Sequence, residues 1–185
     1  VRVSKNELYG YLDLNGKEVI PVQYAELSYL TGNMTYFKRD DKYGLVGRDG
    51  KERDWIYDEF SDFAFGLALV SIDNKYGFIN DNGQQVIPPE YDYAEPFSSP
   101  ITWCTTDGKS GTINLQGKTV VPFIYDSFVP LYNTSEDSYN DAPVGYLVVS
   151  NHKTGIIQID GTVTIPVIYD FIGNFNEQMT AMASL

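Results

Sequence analysis

The chain has 185 residues, 43% hydrophobic and 21% charged, with 25 acidic against 13 basic side chains and a formal net charge of -12. That mix belongs to one folded domain or one repeat array with enough chain to bury a sizeable core, and the acidic balance disfavours nucleic acid and anionic membrane surfaces as partners. One cysteine, Cys104, precludes an internal disulfide, and one histidine, His152, leaves no Cys/His zinc cage, so no metal or other cofactor is expected.

An internal repeat orders everything else. Gly10, Gly44, Gly77, Gly111 and Gly155 are each followed six residues later by a second glycine, Gly16, Gly50, Gly83, Gly117 and Gly161. With 16 glycines in the chain, this recurrence demands a repeated backbone requirement. Five residues past the second glycine stand Pro21, Pro88, Pro122 and Pro166, and three past each proline stand Tyr24, Tyr91, Tyr125 and Tyr169. Three and six residues beyond the tyrosine, every slot is apolar: Leu27 and Leu30 in the first repeat, Phe128 and Leu131 in the fourth.

In chain order, the first repeat covers about residues 1–33 and begins inside a strand near Val3. The second, about 34–66, opens with the alternating Met34-Thr-Tyr-Phe37, turns at Asp40-Asp41 and is one residue short, with Trp55-Ile56 in place of Val-Ile-Pro. The third, about 67–100, reads Leu67-Ala-Leu-Val70, a turn at Asp73-Asn74, Tyr76-Gly-Phe-Ile-Asn80, a turn at Asn82-Gly83, and Gln85-Val-Ile-Pro88. Each repeat is thus predicted to be a three-stranded meander whose last strand stops or sits at an edge at its proline, which cannot donate to a ladder. The fourth, about 101–144, repeats this around Asp107-Gly108 and carries an insertion, Tyr132 to Val144. The fifth, about 145–177, turns at Asn151-His152, and residues 178–185 begin a sixth. No segment holds a helical period.

The pattern Tyr-Gly-x-Ile-x-x-x-Gly-x-x-Val-Ile-Pro-x-x-Tyr-Asp, seen from Tyr76 to Asp92, resembles the WG (KWG) repeat family of tandem β-rich repeats, common in bacteria. The resemblance covers essentially the whole chain. It departs at the signature residue before the first glycine, which is Tyr9, Tyr43, Tyr76, Ser110 and Thr154, never tryptophan. The resemblance implies an interaction or scaffold module without a shared catalytic motif.

A lone three-stranded meander cannot bury its apolar face, so neighbouring repeats must share a core. The expected fold is all-β, an open solenoid-like array of stacked meanders, with a closed five-bladed propeller-like ring as the alternative. The chain begins within a first-type strand, and residues 178–185 fill that strand again, which favours the open array. No apolar run approaches the ~20 residues of a bilayer-spanning helix, and nothing at Val1 reads as a signal peptide, so cytoplasmic and exported locations stay open.

Asp58, Asp92, Asp126 and Asp170 follow the repeat tyrosine and would form a carboxylate ladder if they stacked; each is read instead as an acceptor of backbone N–H groups in its own turn. Trp103, in a slot given to Leu69, Tyr36 and Val148 elsewhere, is read as core. Tyr11, Tyr29, Tyr93, Tyr132 and Tyr139 lie outside the repeat slots and are read as exposed contact residues. The candidate partner-binding residues are Trp55 and Tyr93, with Tyr132, Glu136, Asp137, Tyr139 and Asp141 at the insertion, because an insertion in one repeat maps to a loop on one face. His152 falls in a hairpin turn, so a catalytic triad is not expected. The leading expectation is a non-catalytic module that binds a protein or a glycan. A carbohydrate-active hydrolase with a carboxylate pair and a structural spacer flanked by further repeats of the same polypeptide are the alternatives.

Overall fold

A computed structural model describes residues 1–132, 143–173 and 183–184, with the backbone alone at 55, 183 and 184. Every regular element in it is a strand. The first sheet is β1 (Arg2–Lys5), β2 (Leu8–Leu12) and β3 (Glu18–Tyr24). The second is β4 (Glu26–Leu27), β5 (Met34–Arg39), β6 (Lys42–Gly47) and β7 (Glu52–Tyr57). The third is β8 (Glu59–Phe60), β9 (Leu67–Ile72), β10 (Lys75–Asn80) and β11 (Gln85–Tyr91). The fourth is β12 (Tyr93–Ala94), β13 (Ile101–Thr106), β14 (Lys109–Asn114) and β15 (Thr119–Tyr125). The fifth is β16 (Ser127–Leu131), β17 (Gly145–Ser150), β18 (Lys153–Gln158) and β19 (Val163–Tyr169). β20 (Phe171–Ile172) then pairs with β21 (Ala183–Ser184), the predicted start of a sixth unit.

All pairings are antiparallel, and no sheet closes into a barrel. The architecture is the tandem all-β array that the spacing predicts. One detail differs. The complete sheets have four strands, because the segment after each Tyr-Asp step, read as a connector, adds a short strand to the next repeat's first strand. Leu27 thereby faces Phe37, Phe60 faces Val70, and Ala94 faces Cys104.

The paired glycines meet two separate backbone demands. All five second glycines have positive φ, from 71° at Gly50 to 87° at Gly161, the left-handed region that closes the hairpin. The first glycines answer a shortage of space. Between the pairs Tyr9↔Tyr24 and Tyr11↔Ile20 the third strand spends four steps against two on the second strand. This bulge contains the repeat proline, and the strand runs on past Pro21 to Tyr24 as the edge strand of its sheet, the second of the two outcomes expected at a proline. A Cβ on Gly10, Gly111 or Gly155 would sit 2.7 Å from a carbonyl oxygen of that bulge, and on Gly77 2.5 Å. The short second repeat has its own explanation. Elsewhere a further single-residue irregularity follows, as between Phe78↔Ile87 and Ile79↔Gln85, whereas Leu45↔Arg53 and Val46↔Glu52 continue without one.

Two compact units, Val1–Tyr91 and Asp92–Leu185, each bury cores shared between successive repeats. In the first unit Tyr11, Ile20, Tyr24 and Leu27 pack with Phe37 and Val46 of the next repeat. Met34, Leu45 and Tyr57 likewise pack with Ala68, Val70 and Ile79. In the second unit Val121 and Tyr125 pack with Phe128, Tyr146, Val148 and Ile157. Tyr11 is therefore core, 7% exposed, contrary to its reading as a contact residue. It follows the first glycine directly, a slot that buried Leu45, Phe78, Thr112 and Ile156 hold elsewhere. Its hydroxyl donates to the Ser28 carbonyl and accepts the Leu30 N–H.

Candidate functional site

The Tyr-Asp carboxylates do not converge. Asp58 and Asp126 each work as a clasp between two hairpins. Asp58 pairs with Lys42 of the preceding hairpin and accepts the Asp73 N–H of the following turn at 2.9 Å. Asp126 does the same with Lys109 and the Asn151 N–H, at 2.8 Å for the latter. Asp92 accepts the Asp107 N–H at 2.8 Å, and Asp170 meets Lys153 at 2.6 Å. The acceptor role was read correctly, but the donor lies in the next repeat's turn. The lysine and its partner vary together: the first repeat has Leu8 and Ala25 at these two positions, and so lacks both. Among the described residues no group of three or more His, Cys, Asp or Glu side chains gathers in a metal-binding cluster.

The lysine first, and the turn N–H second, hold the Asp58 and Asp126 carboxyls below the usual carboxylate range. A depressed folded-state pKa gives stability that is present above the unfolded value, about 4, and lost as pH falls through the lower folded value. Thermal melts are expected to show Asp58→Asn/Asp126→Asn with a lower midpoint than wild type at neutral pH and a smaller further drop between about pH 5 and pH 2. Equal acid sensitivity in the two proteins would remove these clasps as contributors.

A groove of about 540 Å³ opens between the fourth and fifth sheets. Its origin is local. The strand after Tyr-Asp has two residues in β4, β8, β12 and β20, but β16 has five, because the insertion prolongs its pairing with β17 out to Leu131↔Gly145. The Val144 N–H closes this neck on the Leu131 carbonyl at 2.8 Å. Tyr132 and Pro143, the two shoulders of the insertion, therefore stand at one wall, with Pro130 below them. The connector after β12 supplies Glu95 to Ser98, and β13 supplies Ile101, Thr102 and Trp103. Buried Phe97 and Tyr146 face into it from below. Burial pushes the Tyr146 phenol up to about 12.

Aromatic surface continues outward. Tyr93, 37% exposed, packs its ring 5.1 Å from that of Trp103, and its hydroxyl donates to the Glu95 carboxylate. Tyr132 is half exposed across the groove. The Thr102 hydroxyl is already spent on the Glu95 carbonyl at 2.8 Å.

The WG containing repeat profile matches residues 9–43, 56–76, 76–109, 111–133 and 155–182. The chain belongs to the WG-repeat family. No curated protein matches this WG array in sequence. Among solved structures, Hsv2 of Kluyveromyces lactis is similar at 11% identity and a TM-score of 0.47, over 88% of the array and 58% of that chain. PorZ, a surface component of the type-IX secretion system of Porphyromonas gingivalis, is similar at 10% identity and a TM-score of 0.37, over 99% of the array and 28% of that chain. The array thus spans less than two thirds of either structure.

Of the residues singled out by sequence, Tyr93 stacks with Trp103, and Tyr132 lines the same groove as Trp103. Glu136, Asp137, Tyr139 and Asp141 lie outside the described residues, and Trp55 belongs to β7, with its side chain outside them too. Tyr29 belongs to the first unit, where it is exposed and stacked with Arg2, whose guanidinium also lies over Tyr9. Trp103 has two roles. Its strand partner is Thr112, the residue after the first glycine, so its true counterparts are Tyr36, Leu69 and Leu147; Val148 faces a glycine, as Cys104 does. Trp103 is half-buried and packs against the core around Val121 and Tyr125, as expected of its slot, and it also lines the groove, which its slot did not indicate. His152 sits in its predicted turn with φ 61°. Among the described lining residues Glu95 is the single carboxylate, whereas glycoside cleavage takes two, roughly 5–10 Å apart. Among the described residues no helix is long and apolar enough to cross a membrane.

Proposed function

We propose that this WG array is a non-catalytic binding module whose ligand, a protein or glycan segment, seats in the groove between the fourth and fifth sheets. The observation that supports this is one groove lined by Trp103 and Tyr132 at the repeat that carries the insertion, with Tyr93 stacked on Trp103. Rings held by a sheet and a strand neck offer large contact area at little conformational cost.

The test is a screen of immobilised peptides and oligosaccharides with wild type, Tyr93→Ala and Tyr132→Ala. Both side chains are exposed enough for truncation to leave the fold intact, which circular dichroism checks. A ligand held by wild type and weakened about tenfold or more by either change is the expected result, in line with the loss of a central interface aromatic. Ligands bound equally by all three proteins would move the function away from this groove.

A further inference from the structure

We infer that the groove's ligand is an extended, proline-containing peptide segment that carries a basic residue; the inference rests on the binding-module reading above. Three features of the site converge on this chemistry. The first is its walls. Pro96, Pro130 and Pro143 line the groove together with the rings of Trp103, Tyr132 and Tyr146, a stiff and largely apolar set of side chains. Polyproline II segments are recognised by aromatic-lined grooves of this type, because both surfaces are ordered before they meet. The volume falls within the roughly 300–1,000 Å³ of ordinary ligand sites.

The second feature is what the walls lack. A pyranose ring needs several convergent hydrogen-bonding side chains for its hydroxyls. Here the Thr102 hydroxyl is committed to the Glu95 carbonyl, and the Tyr93 hydroxyl to the Glu95 carboxylate. The rest of the described lining is Ile101, Ser98, prolines and aromatic rings, with the Tyr132 and Tyr146 hydroxyls as its other polar groups, and pyrrolidine rings pack well on such a surface.

The third feature is charge. From Asp92 onward the chain holds three lysines and no arginine against ten acids. Lys109 and Lys153 are tied to Asp126 and Asp170, which leaves Lys118 as the remaining lysine of that half. Among the described residues no basic side chain lines the groove, and the Glu95 carboxylate stands in its lining, oriented by Tyr93. Such a field draws in a cation and places it at Glu95, while the prolines occupy the ring-lined floor.

The experiment titrates synthetic peptides into the Trp55→Phe variant, in which Trp103 is the sole tryptophan, and reads its fluorescence. The probes are an Arg-Pro-Ala-Pro-Pro peptide, the same peptide with Arg→Glu, a Gly/Ser peptide of equal length and a neutral β-glucan oligosaccharide. Calorimetry on the unmodified protein and on Tyr132→Ala repeats each titration, so a folding defect in Trp55→Phe leaves the question open to decision. The expected result is saturable binding of the arginine peptide, weakened at least tenfold by Arg→Glu and by Tyr132→Ala, and reduced by added salt and by Glu95→Gln. Equal binding of the arginine and glutamate peptides overturns the basic requirement. Binding of the oligosaccharide with no response to either proline peptide overturns the peptide inference and leaves the groove as the binding site. Peptide binding that Tyr132→Ala leaves unchanged, or no response to any probe, overturns the inference as well, and the wider screen then decides the binding-module reading separately.

Discussion

Gly77→Ala is expected to destabilise the array by about 3 kcal/mol or more, and to a degree that a glycine's usual replacement cost does not explain. The added methyl would stand 2.5 Å from the Ile87 carbonyl oxygen and 2.6 Å from backbone atoms of Pro88 and Pro89. None of these atoms belongs to a side chain that can swing aside, and the bulge they form is held on both flanks by ladder pairs, Tyr76↔Tyr91 and Phe78↔Ile87. Relief therefore requires the third strand to leave the second. Gly16→Ala is the matched control. Its φ is 80°, yet nothing lies within 4 Å of the would-be Cβ, so only the left-handed strain of about 1–2 kcal/mol applies. Urea titrations of the two variants should separate by that margin. Equal losses would mean that the bulge yields, and the spatial reading of the first glycine would fall.

Phe37→Ala is expected to cost about 3–5 kcal/mol, the range for emptying a buried aromatic site. Phe37 is fully buried, packs its ring 4.9 Å from Tyr24 of the preceding repeat, and lies in one core with Tyr11, Ile20 and Leu27. It also faces Leu27 across the β4–β5 pair, so the loss reaches the strand that the first repeat lends to the second. Hydrogen exchange should show protection falling together in β2, β3, β5 and β6. Loss confined to β5 and β6 would show that the repeats are less coupled than this shared core implies.

Much of the architecture was legible in the residues themselves. The hairpin turns needed only dipeptides such as Asp73-Asn74 and Asn151-His152, which adopt φ of 50° to 61° as their chemistry dictates. The apolar slots three residues past each tyrosine were legible too, as buried Leu27, Ala94, Phe128 and Ile172 show. What escaped was whatever depends on a neighbour. A two-residue strand such as Tyr93–Ala94 is too short to show any period, so the lent strand read as a connector. The donor to Asp58 stands 15 residues on, in another hairpin, and local turn chemistry could not point there. The groove escaped for the same reason. Trp103 is ordinary by its own register, and lines a groove whose other wall, with Tyr132, is set by the insertion neck.

The lent strand separates the unit that is copied from the unit that folds. By sequence a repeat opens at Met34 or Leu67; by pairing, a sheet runs from Glu26 to Tyr57 and from Glu59 to Tyr91. A fragment cut at the sequence boundary surrenders an outer strand to its neighbour and leaves that edge of β5 or β9 bare. One cut at the Tyr-Asp step keeps each sheet whole, and divides the carboxylate clasp and the side-chain core shared across it. Gene fusions and shortened arrays should therefore be joined at Asp58 or Asp92, where a seam crosses side-chain bonds and no ladder.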